Sequence, residues 1–242
     1  MFFLIFDKIG LFHILYSAQF VCKEWHALSL DPHTWKRING CKLNYKDLKV
    51  VVDRSDGCLI EYDASTVYLE WKDMEYIFER SPKLEKISFQ CNGWLQPFLE
   101  DQFTIASIRC PSLKNIEIDV YSYNFCYSDI ECIGRLFPNL EKFRLEKDHN
   151  FGWTDEIARN MGGLFELQLK MSNIVADDLR TILDGCPKLQ FLGVVTNSTT
   201  FLLDDDVKER LKRLQGYEIY NIFEWQKQRL KRLPCFLQTW KT

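Results

Sequence analysis

Three consecutive carboxylates, Asp204, Asp205 and Asp206, are of the residue type that holds a divalent cation or moves a proton. They run directly into "VKERLKRL", however, and aspartates at a helix start are stabilised by its unsatisfied N–H groups and dipole, so the pattern predicts a capped helix. Nine cysteines (22, 41, 58, 91, 110, 126, 132, 186 and 235) form no C-x-x-C pair. No histidine among the four (13, 26, 33 and 149) stands at metal-ligand spacing from two of them. No metal ligand, cofactor or catalytic residue is assigned. Reduced, buried thiols are expected instead, with Cys110 and Cys186 packed just ahead of a proline. No nucleophile has a visible base, and G-x-x-x-x-G-K-[ST], G-x-G-x-x-G and G-x-S-x-G have no match, so nothing positive points to nucleotide use or hydrolase chemistry. The expectation is a non-enzyme.

The remaining candidates are surfaces. With 242 residues, 46% apolar and 27% charged, the chain has the composition of a globular protein, and a net charge of −3 supplies no general field for nucleic acid or an anionic membrane. Two basic clusters, Lys208, Arg210, Lys212, Arg213 and Lys227, Arg229, Lys231, Arg232, are interleaved with leucines and read as solvated helix faces. Phe2–Phe6 lacks a basic segment before it, and the uncharged run from Ile9 to Cys22 is too short to span a bilayer. A cytoplasmic or nuclear location is expected.

The elements that must carry such surfaces emerge from self-comparison. "SPKLEKISF" (81–89), "CPSLKNIEI" (110–118), "FPNLEKFRL" (137–145), "MGGLFELQL" (161–169) and "CPKLQFLGV" (186–194) share a template of leucine, two variable residues, an apolar residue, one variable and another apolar. A weaker copy starts at Leu59, and the leading leucines 59, 84, 113, 140, 164 and 189 lie 25, 29, 27, 24 and 25 residues apart. That spacing is the period of leucine-rich repeats. Helical spacing between copies, as in Met74, Ile77 and Phe78 or Leu179, Ile182 and Leu183, gives each repeat a strand and a helix. Pro82, Pro111, Pro138 and Pro187 end the preceding helices, and Gly162-Gly163 is read as a helix stop by another route. The predicted fold class is therefore α/β, a leucine-rich-repeat solenoid with a curved parallel sheet and outer helices.

Ahead of the repeats, "SAQFVCKEWHALSLDPHTWKRI" (17–38) reads as two short helices. Ala18, Val21, Cys22, Trp25 and Leu28 form one stripe with Ser17 as cap, and Asp31-Pro32 starts a second helix carrying Trp35 and Ile38. This V-C-x-x-W followed by D-P-x-x-W, joined to the repeats, resembles the plant-type F-box proteins with leucine-rich repeats. The resemblance implies a small all-α F-box that docks a Skp-type adaptor and through it a cullin, while the repeats hold a protein for ubiquitination. It carries adaptor contact to Ile9, Leu15, Val21, Cys22, Trp25 and Trp35. The family's Leu-Pro-x-Asp opening has no counterpart; only Ile5, Phe6 and Ile9 resemble the end of that helix. A repeat scaffold without adaptor binding, or a truncated gene product, stands as the alternative. The implied organisation is a partial F-box at 1–40, repeats at 41–216 and a tail at 217–242 that could form a helical cap.

Alternation along the strands then selects the residues opposite the core. It assigns substrate contact to Lys86, Ser88, Gln90, Glu117, Asp119, Lys142, Arg144, Glu166, Lys170 and Phe191, a charged centre beside an apolar end suited to a polypeptide bearing both charge signs.

Overall fold

The computed structural model describes residues 8–39, 43–91, 99–121, 125–147, 152–197 and 203–221. They fall into two compact units, one of residues 1–90 with 97–113, the other of residues 91–96 with 114–242. The expectations for Phe2–Phe6, Cys41, His149 and residues 222–242 lie outside the described residues.

In the first unit, α1 (Leu11–Tyr16), a 3-10 turn (Ala18–Phe20), α2 (Lys23–Leu30) and a second 3-10 turn (Pro32–Trp35) precede β1 (Arg37–Asn39). Then follow α3 (Tyr45–Arg54), β2 (Glu61–Tyr68), α4 (Trp71–Arg80), β3 (Lys86–Cys91) and α5 (Leu99–Arg109). The single helix expected over 17–28 is broken. Cys22 is extended, and its carbonyl opens α2 by accepting the His26 N–H. The break has a cause in Gln19, whose buried amide donates to the Leu15 carbonyl and accepts from Arg54 at 3.0 Å, drawing the turn inward. Ser17 makes no side-chain cap bond, whereas Asp31 caps as expected, accepting the His33 N–H at 2.8 Å.

Strands β1, β2 and β3 pair in parallel, with Ile38 opposite Tyr62 and Tyr62 opposite Ile87. Ile38 thus belongs to a strand rather than to a helix. Trp35 stands three residues before Ile38, as Leu59 stands before Tyr62, and it is 1% exposed. The tryptophan fills the slot of a leading leucine. Its indole N–H donates to the Ser29 carbonyl at 2.9 Å and the Arg54 guanidinium lies 5.5 Å from its ring centre.

The second unit contains β4 (Asn115–Val120), α6 (Tyr127–Leu136), β5 (Lys142–Lys147), α7 (Trp153–Asn160), β6 (Glu166–Met171), α8 (Ala176–Gly185), β7 (Phe191–Thr196), α9 (Asp205–Leu211) and β8 (Gly216–Asn221). These strands pair in parallel in chain order without a slip, so that Ile116, Phe143, Leu167, Leu192 and Tyr217 form one row. The strand–helix alternation and parallel pairing in both units are the predicted α/β leucine-rich-repeat fold, and all six leading leucines are buried. A strand was not expected at β8, which carries the ladder past the 216/217 division drawn from sequence.

Small devices recur from repeat to repeat. Asp73, Asp129 and Asp178 each accept the backbone N–H that precedes their helix, from Glu70, Cys126 and Val175 at 2.7–2.8 Å. Cys110 donates its thiol to the Ser81 carbonyl at 3.3 Å and Cys186 to that of Met161 at 3.7 Å, equivalent positions one repeat earlier. Burial pushes the two thiols up to about 12 and about 11. Gly162 and Gly163 are not left-handed; a Cβ on Gly162 would lie 3.1 Å from the Gly185 carbonyl, a tight approach to the next repeat that favours glycine there.

Candidate functional site

The first surface belongs to the residues ahead of β1. On α1, Leu11, Ile14 and Leu15 turn inward, which leaves Phe12 and Tyr16 outward at i and i+4 with ring centres 4.6 Å apart. Just before the break at Cys22, Phe20 is 73% exposed and Val21 65%. Phe12, Tyr16, Phe20 and Val21 are thus large side chains left in water ahead of β1, with the Tyr16 hydroxyl donating to Asp47. The expected adaptor contacts divide on this surface. Val21 and Cys22 are exposed, and Ile9 and Trp25 are half-buried. Leu15 and Trp35 are core residues, so a partner cannot reach them; α1 packs the former inward and the leucine slot holds the latter. Phe12 and Tyr16, on α1, and Phe20, in the 3-10 turn, are exposed residues that the resemblance did not carry.

The face opposite the core on β1–β3 carries charges paired across neighbouring strands. Glu61 pairs with Arg37 at 3.7 Å and with Lys86 at 3.2 Å. Gln90 donates to the Ser65 carbonyl at 2.6 Å. Ser88 is buried, and no ligand reaches it.

In the second unit the corresponding face is a grid. Its first row runs Asn115, Lys142, Glu166, Phe191 and Gly216; the second, Glu117, Arg144, Gln168, Gly193 and Glu218; the third, Asp119, Glu146, Lys170, Val195 and Tyr220. Arg144 is the hub, 5% exposed, with Asp119 and Glu146 at 3.2 Å and Glu117 at 3.7 Å. Lys170 pairs with the same Glu146, and Lys142 with Glu166 at 2.7 Å. Burial is the largest influence on Asp119 and pushes its carboxyl up to about 7, against the pull of Arg144. The buried Asp119 and Arg144 therefore brace the grid from within, which corrects their assignment as substrate contacts. Glu117, Lys142, Glu166, Lys170 and Phe191 keep part of their surface in solvent.

At the first row the grid opens into a groove of about 460 Å³ lined by Lys142, Phe165, Glu166, Gln190, Phe191, Gln215 and Gly216. The sequence reading supplied Lys142, Glu166 and Phe191 but missed Phe165, Gln190 and Gln215, which stand just ahead of their strands and escape an alternation rule.

The aspartate run behaves as a helix start. Asp204 accepts the Val207 N–H at 3.0 Å, which holds its carboxyl below the usual range, and Arg180 pairs with both Asp204 and Asp206. Among the described residues no group of three His, Cys, Asp or Glu side chains is placed to hold a metal ion, and no helix is long and apolar enough to cross a membrane.

Comparison with known proteins finds relatives in Arabidopsis thaliana that extend over most of the chain. F-box/LRR-repeat protein 23 is 30% identical over 233 residues, 88% of this chain and 50% of the relative. F-box/LRR-repeat protein 9 is 28% identical over 83% of this chain and 86% of the relative, and F-box protein SKIP19 is 29% identical over 78% and 65%. The chain spans half the length of the first of these. No family model matches the chain.

Proposed function

The chain is a protein of the plant F-box/leucine-rich-repeat type, and on that premise we propose that it is the non-catalytic substrate-recognition subunit of an SCF-type ubiquitin ligase. The observation that carries this reading is the exposure of Phe12, Tyr16, Phe20 and Val21 ahead of β1, where the chain resembles an F-box. A Skp-type adaptor covers these side chains and links the chain to a cullin. Aromatic anchors surrounded by polar residues are the usual centres of binding energy in such contacts. The strand face of the second unit, with its groove and half-buried charges, holds a polypeptide substrate and contributes no catalytic group. The complex works in the cytoplasm or nucleus.

The test is affinity purification from plant cells of the wild-type chain and of Phe20→Asp. Cullin co-purifies with the wild type and is lost from the variant, while a thermal midpoint unchanged by the substitution shows that an exposed side chain was altered. Cullin absent from both preparations contradicts the proposal.

A further inference from the structure

The grid of the second unit carries more negative charge than it neutralises. Its carboxylates are Glu117, Asp119, Glu146, Glu166 and Glu218, and its three cations, Lys142, Arg144 and Lys170, are each paired with one or more of the first four. Glu218 is left over. One of its oxygens is shielded from solvent without a hydrogen-bond partner, and no cation among the described residues pairs with it. Burial pushes its carboxyl up, with no opposing charge to bring it back. A shielded carboxylate without a partner is destabilising, and its neutralisation rewards an incoming cation.

Two neighbouring positions on that face are glycines, and the Gln168 and Phe191 side chains lean over the one opposite Glu218. Glu218 lies opposite Gly193, which carries no side chain, and Gly216 lies two residues earlier on the same face. The Phe191 ring lies between these glycines, its edges 3.4 Å from where a Cβ on Gly193 would stand and 3.2 Å from one on Gly216. Phe191 and Gly216 also line the groove, so the apolar recess and Glu218 are separated by two residues of strand, about 6.6 Å. That is the distance between alternate side chains of an extended peptide.

We infer that the β7–β8 end of this face takes an extended polypeptide segment with a lysine or arginine two residues from an apolar side chain, the apolar group entering the Phe165–Phe191 groove and the cation reaching Glu218. This rests on the proposed role as a substrate receptor and specifies the chemistry of the substrate. Electrostatic complementarity of this kind gives specificity and register as well as attraction.

The probe is a random heptapeptide phage library, selected in parallel against the full chain, Glu218→Gln and Glu218→Lys. The wild type enriches peptides with an apolar residue and a basic residue two positions apart. Glu218→Gln loses the basic preference but keeps the apolar one, and Glu218→Lys favours acidic residues at that position. Fluorescence anisotropy on a selected peptide then shows at least tenfold weaker binding to Glu218→Gln, the same loss when the peptide's basic residue becomes glutamine, and no further loss when both changes are combined. Wild-type peptides without a basic residue, or an unchanged preference in Glu218→Gln, overturn the inference while leaving the receptor role standing. Failure of all three proteins to enrich any peptide overturns both.

Discussion

Two single residues carry sharply different burdens. Asp119 is buried beside Arg144 yet has its carboxyl pushed up to about 7, well above the usual value of about 3.9 in an unfolded chain. Between those two values the folded protein holds a proton that the unfolded chain has released, so stability falls as pH rises from about 4 to about 7 and levels off above. Glu117, Glu146, Lys170 and Arg144 all act on this group, and Asp119→Asn isolates its share. Urea midpoints measured against pH should decline more steeply for the wild type than for the variant across that interval. Parallel curves would show that Asp119 titrates as an ordinary surface carboxylate. Trp35 bears a packing burden instead. Being fully enclosed and hydrogen-bonded to Ser29, its replacement by alanine should cost about 3–5 kcal/mol in denaturant titration, far more than an exposed F-box tryptophan would. The F-box-like motif hid this role, because D-P-x-x-W supplies the position without saying which unit covers the ring. The spacing did say it. Trp35 precedes Leu59 by 24 residues, one repeat period.

At the scale of elements, the repeats were legible because their signal is redundant. Leu140 is followed by Phe143 and Leu145, each buried, and every other copy behaves alike. Leu140→Asp should therefore destabilise by several kcal/mol, roughly the penalty for an unpaired charge in a core; an unchanged thermal midpoint would contradict the register. The strand β8 was legible in the same way and was passed over, since Leu214, Tyr217 and Ile219 continue the template 25 residues after Leu189. The helix break at Cys22 was not legible, because the apolar stripe gives no sign that Gln19 will be drawn inward by Arg54, 35 residues away. Nor was the fit between outer helices. A Cβ on Gly134 would lie 2.6 Å from Asn160 Cβ, and one on Gly185 would lie 2.4 Å from Ala158 Cβ. Both glycines let one helix of the second unit approach the next. Gly185→Ala, a change that normally favours a helix, should here cost about 1–3 kcal/mol through overpacking. A rise in the chemical-denaturation midpoint would show that the helices have slack.

For the whole molecule, the fold and the family resemblance were readable from sequence, and the surface less so. Family resemblance brought the adaptor and substrate roles together, but alternation alone could not tell a solvent-facing strand residue from one locked beneath its neighbours, as Ser88, Asp119 and Arg144 are. Accessibility depends on what the adjacent strands place alongside. The division of labour proposed for the chain stands on the exposed side chains ahead of β1, and calorimetric titration with a purified plant Skp-type adaptor tests it most directly. Saturable binding of one adaptor per chain is predicted, weakened by at least about 2 kcal/mol, some thirtyfold, in Phe20→Asp and unaffected by Glu218→Gln. Absence of heat and of complex formation with the wild-type chain, or equal affinity for wild type and Phe20→Asp, would contradict the account.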